Sequence, residues 1–251
     1  MLRHWFSEPH ECAYLPSQES SLEYRLMLDV DAVELDYLLA RGWRRFGPAY
    51  FRPGCAGCSE CVPLRIPIAS FKRSKQQRRV FNKCQHFRLV VQRPIVDELR
   101  LDLYHRWHKQ QGDRRGWPDD RIDAAEYYHQ FAFPHPCVRE FAYYDEDKLI
   151  AVGIVDETPS ALSAVYTFHD PDYKRLSLGT ASILFQIEHA RSLEKQYLYL
   201  GYRVRGCASS EYKARFKPHE LLHGWPELDE RPDWRPAEHD DALVQITSRS
   251  A

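Results

Sequence analysis

The chain has 251 residues, 43% of them hydrophobic and 28% charged, so it is long enough to bury a core and has an ordinary globular composition. Its formal net charge of -1 excludes a protein that binds nucleic acid through overall charge, so such binding would need a local basic surface. No apolar run approaches the roughly 20 residues of a membrane helix, and the first residues lack a signal-peptide core; we therefore expect a cytoplasmic protein with no membrane partner.

Short strand and helix signals alternate in the first part of the chain. A capping-box pattern at Asp31 begins a short helix, and Gly42 is suited to end it. The following run, Trp43–Phe51, reads as one strand that carries Arg44 and Arg45.

Three cysteines at two-residue gaps come next: Cys55, Cys58 and Cys61. Thiolates at this spacing can reach one metal, which predicts a zinc ion or an iron–sulfur cluster; the alternative is a tight turn with small apolar thiols. A fourth ligand would come from elsewhere, and the candidates are Cys12, Cys84 and His86. The odd total of seven cysteines argues against a disulfide framework.

A basic stretch without a single acidic residue extends from Val62 to Val96. Solvated surfaces ordinarily mix both signs, so this segregation favours a surface that binds a phosphate backbone. Six of its side chains are the predicted contacts: Lys72, Arg73, Lys75, Arg78, Arg79 and Lys83.

The second half contains a strand–helix–strand unit over Ser163–Tyr202, preceded by an apolar strand that ends at Asp156. Such a unit predicts parallel strands, with the helix beginning at the carboxyl end of the first strand. The helix is entered through Arg175, Ser177 and Gly179, which suit either an anion site or an ordinary helix cap.

Several motifs occur in one collinear order between about Cys12 and Trp225. They are Cys12-Ala-Tyr-Leu-Pro, Gly42-Trp-Arg-Arg, Arg52-Pro-Gly-Cys55 with the cysteine triplet and Arg65, Ser163-Ala-Val-Tyr-Thr-Phe, Ser177-Leu-Gly, Tyr199-Leu-Gly-Tyr, and Tyr212-Lys213 followed by Phe216, Pro218 and Glu220. In these motifs the chain resembles the bacterial aspartate/glutamate leucyltransferases, relatives of the arginyl-tRNA:protein transferases.

The resemblance implies an α/β (α+β) fold made of two acetyltransferase-like (GNAT-like) units with mixed sheets. The expected division is an N-terminal aminoacyltransferase domain over residues 1–94, a catalytic GNAT-like domain over 95–225 and a flexible acidic tail over 226–251. The implied activity is transfer of leucine from Leu-tRNA to proteins that begin with Asp or Glu, which creates an N-degron. No cofactor is required for it, and no oligomeric state is indicated.

Candidate roles follow from the chemistry of aminoacyl transfer to an amine, which needs orientation and oxyanion stabilisation more than a strong base. Asp156 is predicted to orient the α-ammonium or relay its proton, with hydrogen bonds from Tyr166 and Tyr202. Arg44, Arg45 and Arg65 are the candidate ligands of the acceptor carboxylate. Further substrate contacts are expected from Ser163, Arg175, Ser177, Gly179, Tyr199, Tyr212 and Lys213, and the six basic residues above would contact tRNA.

Two other functions fit the same residues. One is an acetyl-CoA-dependent acetyltransferase, although the segment from Arg175 to Gly179 is one residue longer than the usual pyrophosphate loop. The other is a non-catalytic tRNA-binding module with a metal knuckle.

Overall fold

The computed structural model describes residues 1–115 and 121–237. The strands in chain order are β1 (Arg3–Phe6), β2 (His10–Glu11), β3 (Glu19–Ser20), β4 (Leu22–Leu26), β5 (Arg44–Phe46), β6 (Ala49–Pro53), β7 (Cys61–Pro67), β8 (Arg88–Gln92), β9 (Val138–Asp145), β10 (Lys148–Glu157), β11 (Ala161–His169), β12 (Tyr197–Val204), β13 (Glu220–His223) and β14 (Asp233–Pro236). The α-helices are α1 (Ala32–Ala40), α2 (Lys75–Cys84), α3 (Glu98–Arg115), α4 (Ala124–Tyr127), α5 (Leu178–Ser192) and α6 (Ala208–Glu211).

An eight-stranded sheet in the order β14-β13-β7-β12-β11-β10-β9-β8 organises the molecule. Its neighbouring strands are antiparallel except for β11 and β12, which pair in parallel. The parallel strand–helix–strand unit is therefore confirmed, with α5 as its crossover. Helices and mixed sheets together confirm the predicted α/β class.

The two faces of the large sheet are covered by different helices. Helices α2 and α5 pack on one face and α3 packs on the other, and β10 contributes buried side chains to both hydrophobic clusters. This explains why the sequence of β10 is an almost continuous apolar run before Asp156.

A smaller sheet in the order β1-β4-β6-β5 lies beside α1. The side chain of Asp31 caps α1, as its sequence predicts. The single strand predicted over Trp43–Phe51 is wrong, because Gly47 and Pro48 turn the chain and make β5 and β6 an antiparallel hairpin. Gly47 has a φ of 52°, and a Cβ there would lie 2.0 Å from the carbonyl oxygen of His129, so both backbone conformation and space require glycine.

The domain boundaries expected at residues 94 and 226 do not coincide with breaks in the large sheet. Strands β7 and β8 precede residue 94 and pair with β12 and β9 respectively. The tail predicted from Pro226 is wrong for residues 226–237, because β14 pairs with β13 and Trp234 donates a hydrogen bond to the Ala40 carbonyl oxygen at 2.8 Å. Residues 238–251 of that predicted tail lie outside the described residues.

Candidate functional site

The site lies where β11 and β12 separate. Backbone pairing joins these parallel strands only from Ala161 to Ser163 on β11 and from Tyr197 to Tyr199 on β12. A β-bulge at Val165 bends β11 at the same level, since Ile154 pairs with Tyr166 and Val155 with Ala164.

Strand β5 of the small sheet is placed across this divergence. Its Phe46 ring lies 6.2 Å from the ring of Tyr166 on β11, and its Arg44 guanidinium lies 5.2 Å from the Tyr199 ring and 5.7 Å from the Tyr202 ring on β12. Side chains from three strands that are distant in sequence therefore converge on one small volume.

Asp156 lies at the centre of this volume and is fully buried. Its Oδ1 accepts a hydrogen bond from Nη2 of Arg45, with which it forms an ion pair. Burial raises the pKa of Asp156, and the guanidinium of Arg45 opposes that rise. Arg45 also donates to the Gly47 carbonyl oxygen at 2.9 Å, so the turn of the β5–β6 hairpin fixes the direction of the ion pair.

Two polar atoms beside this ion pair have no hydrogen-bond partner in the structure. They are Oδ2 of Asp156 and Oγ of Ser163, the cross-strand neighbour of Asp156 on β11. Buried polar atoms are ordinarily paired, so these two are available to a bound substrate.

Lys213 adds a further cation at the edge of the site. Its Nζ donates a hydrogen bond to the Tyr202 carbonyl oxygen at 2.8 Å. Burial, aided by the charge of Arg44, lowers the pKa of Lys213 to about 8. Tyr212, the preceding residue, is half-buried and packs against the main hydrophobic cluster.

The structure gives internal partners to two of the predicted site residues, the catalytic candidate Tyr202 and the substrate-binding candidate Arg65. The Tyr202 hydroxyl donates to the carbonyl oxygen of Gly42 at 2.8 Å, and burial raises its pKa, so it holds two segments together rather than facing a substrate. Arg65 donates to Glu220 at 2.7 Å and stacks between Tyr197 and Trp234. These contacts disfavour a substrate role for both residues.

Tyr166 on β11 is surrounded by aromatic rings, among them those of Phe46, Tyr104 and Phe131. Its hydroxyl lies 2.9 Å from Nε2 of His108, and the His108 ring stacks on Tyr104 at 4.0 Å. The sequence interpretation did not include His108, although it follows Tyr104 by four residues and so shares its face of α3. That spacing is the signal that could have placed it in the site.

The entrance to α5 presents exposed polar groups. Ser177 has a φ of 56° and makes no side-chain capping bond, and a Cβ on Gly179 would meet no atom within 4 Å. Arg175 and Ser177 are exposed. Ser177 therefore stands at the N-cap position of α5 without a side-chain capping bond, and there is open space beside Gly179 in the first turn.

Helix α2 lies antiparallel to α5, and the predicted basic contacts lie on it or, for Lys72 and Arg73, just before its N-cap. Cys84 Sγ approaches the Leu176 carbonyl oxygen at 3.7 Å, so α2 ends beside the beginning of α5. Arg73 is half-buried and pairs with Glu188 at 2.8 Å. The other five side chains are exposed, and they form what we call the α2 basic face: Lys72, Lys75, Arg78, Arg79 and Lys83.

The cysteine triplet lies in and before β7 with free thiols. Burial, followed by the neighbouring thiols Cys55, Cys12 and Cys58, raises the pKa of Cys61 to about 12. Within residues 1–115 and 121–237, no three His, Cys, Asp or Glu side chains are positioned to hold a metal ion. The metal site stays a prediction from the spacing.

Two family descriptions match the chain. Residues 10–79 match the N terminus of arginine-tRNA-protein transferase, and residues 99–223 match its C terminus. The chain belongs to this family. The transferase is thus an aminoacyltransferase, and the acetyltransferase and non-catalytic alternatives are set aside.

Curated relatives of the transferase are named aspartate/glutamate leucyltransferase. The protein from Campylobacter jejuni is 35% identical over 88% of this chain and 92% of the relative. The Helicobacter hepaticus protein is 33% identical over 92% of this chain and 96% of the relative, and the Pseudomonas aeruginosa protein is 35% identical over 88% and 94%.

Likenesses to solved structures are more distant. The structure of L-PGS from Bacillus licheniformis has a TM-score of 0.47 and 10% identity, and covers 82% of this chain and 63% of that chain. The crystal structure of FemX has a TM-score of 0.43 and 12% identity, and covers 71% and 62%. In the described part of the transferase, no helix combines the length and the apolar character needed to cross a membrane.

Proposed function

We propose that this transferase moves leucine from Leu-tRNA to the α-amino group of proteins that begin with Asp or Glu, and that it does so in the cytoplasm, where charged tRNA is available. The observation that carries the proposal is the 35% identity, over 88% of the chain, to a relative named for this activity. The transfer would create an N-degron on the acceptor protein.

Two features of the structure support a charged tRNA as the donor. The α2 basic face ends beside the first turn of α5, where exposed Arg175 and the positive end of the helix dipole suit a phosphate. The divergence of β11 and β12 begins at Ser163, so a tRNA 3′ end that crossed the α5 entrance would reach Asp156. In this arrangement Arg175, Ser177 and Gly179 contact the terminal phosphates.

The chemistry proposed for the site is orientation followed by transfer. The acceptor α-amino group hydrogen-bonds to Oδ2 of Asp156 and attacks the ester carbonyl of the aminoacyl-tRNA. A new amide bond forms, the ester C–O bond breaks, and the tRNA 3′-terminal ribose leaves with the proton that the amine loses. An α-amino group with a pKa near 8 is already partly neutral in the cytoplasm, so Asp156 relays a proton rather than abstracting one from a weak acid.

The test is a transfer assay with labelled aminoacyl-tRNAs and peptides that differ only in residue one. Label from Leu-tRNA should appear on peptides that begin with Asp or Glu and not on a matched peptide that begins with Ala. Incorporation from Arg-tRNA in preference to Leu-tRNA would contradict leucine as the donated residue. No incorporation from any charged tRNA would overturn the proposal as a whole.

A further inference from the structure

Within the part of the chain that the structure describes, Arg44 is a buried cation that forms no ion pair. Its side chain is 6% exposed, and its single hydrogen bond runs from Nη1 to the adjacent Trp43 carbonyl oxygen at 2.6 Å. Its Nε and Nη2 have no partner in the structure. A guanidinium withdrawn from water and left unpaired lowers stability, so its retention calls for a function.

The other buried arginines of the described residues are all compensated. Arg45 pairs with Asp156, Arg52 with Glu23 and Glu227, and Arg100 with Glu140. Arg41 instead donates to three carbonyl oxygens, those of Tyr37, Glu227 and Glu230. Arg44 therefore differs from the other four buried arginines among residues 1–115 and 121–237.

The charge around Arg44 deepens this imbalance. Arg44, Arg45 and Lys213 bring three basic groups to the site, and the one carboxylate among them, Asp156, already pairs with Arg45. The aromatic rings of Tyr199 and Tyr202 flank the guanidinium, which leaves its free edge for a planar anion. A carboxylate presents two oxygens that match Nε and Nη2.

We infer that Arg44 binds the side-chain carboxylate of the acceptor's first residue, so that it is the residue that selects acidic N-termini. Arg45 is then a positioning residue, because its guanidinium is occupied in holding Asp156. An N-terminal Asp or Glu would place its carboxylate on Arg44 and its amine on Oδ2 of Asp156. This inference rests on the proposed function for the identity of the acceptor.

The test compares Arg44→Gln with wild type on peptides that begin with Asp or with its neutral isostere Asn. Wild type should prefer Asp, and the variant should lose about 10- to 100-fold of that preference, mainly through a higher KM for the Asp peptide. The KM for aminoacyl-tRNA should stay within about twofold. Arg25→Gln is the matched control, because Arg25 also stacks on an aromatic ring, that of Trp43, but pairs with Glu23.

Two further measurements keep the inference testable apart from the transfer reaction. In calorimetric titrations of the free protein, wild type should bind the Asp peptide more tightly than the Asn peptide. Arg44→Gln should show no such preference. The melting temperature of Arg44→Gln should rise, since an uncompensated buried charge is removed; a purely structural arginine would lower it. If Arg44→Gln is poorly folded, Arg44→Lys replaces it in the test. It keeps the positive charge but cannot donate two parallel hydrogen bonds to a carboxylate, so it should lose part of the preference for the Asp peptide.

An Asp preference that persists in Arg44→Gln would overturn the inference. So would a loss that falls on the KM for aminoacyl-tRNA, which would assign Arg44 to a tRNA phosphate. Absence of transfer by wild type with every donor would instead contradict the proposed function, while the peptide titration would still decide whether Arg44 binds the carboxylate.

Discussion

Asp156 and Arg45 are the residues on which fold and chemistry depend together. They are 111 positions apart in sequence, and both are almost fully withdrawn from water. Removing one member of a buried ion pair leaves the other charge uncompensated, which is costly, whereas replacing both with apolar groups is often tolerated. The two effects of a substitution at Asp156, on stability and on transfer, can therefore be separated.

We expect Asp156→Asn to reduce kcat/KM for transfer by about 100-fold, because the amine loses its carboxylate partner. It should also lower the free energy of unfolding by roughly 3–5 kcal/mol, because Arg45 is left unpaired. The double variant Arg45→Met/Asp156→Asn should recover much of the stability and none of the transfer. Chemical denaturation and the transfer assay measure these two quantities; recovery of activity in the double variant would contradict the role of Asp156.

Lys213 predicts a pH dependence of stability. Its pKa is lowered to about 8 by burial and Arg44, whereas an unfolded lysine titrates near 10.4. Between these values the unfolded chain binds more protons than the native one, so the contribution of Lys213 to stability increases as the pH rises through this window. The free energy of unfolding of wild type minus that of Lys213→Met should therefore increase from pH 8 to 10.

Urea denaturation at several pH values measures this difference. Lys109→Met provides the control, because Lys109 is a lysine on the exposed surface of α3. A difference between wild type and Lys213→Met that is flat or that falls with pH would contradict the environment described for Lys213.

At the scale of elements, α2 and α3 provide a matched pair of basic surfaces. They cover opposite faces of the large sheet, and α2 ends beside the entrance of α5. If the α2 basic face binds tRNA, its charges should influence the donor substrate and leave the acceptor unaffected.

The triple variant Lys75→Gln/Arg79→Gln/Lys83→Gln should raise the KM for aminoacyl-tRNA by about 10-fold or more at low salt and reduce its dependence on salt concentration, since fewer counterions are released. The KM for the acceptor peptide should not change. Lys109→Gln/Arg114→Gln on exposed positions of α3 is the control. An equal effect of both variants on the KM for aminoacyl-tRNA would contradict the proposal that the α2 basic face binds tRNA.

At the scale of the molecule, the C-terminal segment closes the edge of the large sheet. The ring of Trp234 on β14 lies 5.6 Å from the ring of Tyr199 and 4.3 Å from the guanidinium of Arg65. Its Nε1 donates a hydrogen bond to the carbonyl oxygen of Ala40, the last residue of α1. The segment thereby connects the large sheet, the small sheet and the wall of the site.

Trp234→Ala should lower the free energy of unfolding by about 2–4 kcal/mol through lost packing and the lost cation–π contact. Leu228→Ala, at a position that is 42% exposed in the same segment, should change it by less than about 0.5 kcal/mol. Thermal and urea unfolding compare the two; equal effects would contradict an ordered edge at β14.

The sequence by itself determined the elements whose signals are local. The capping residue Asp31, the apolar run of β10 and the periodic face of α5 each lie within one element, so they predicted α1, a central strand and the parallel crossover. The charge segregation of the basic stretch likewise predicted a basic surface, although the helix α2 within that stretch was not predicted.

The tertiary structure alone decided how the arginines divide their roles. Arg44, Arg45 and Arg65 are equivalent as sequence candidates, yet Arg45 receives Asp156, Arg65 receives Glu220, and Arg44 receives no carboxylate. The same holds for the β5–β6 turn and for β14, whose partners come from distant segments. The physical reason is that helix caps and periodicity depend on neighbours within about one turn, whereas pairing of buried charges depends on which strands the fold brings together.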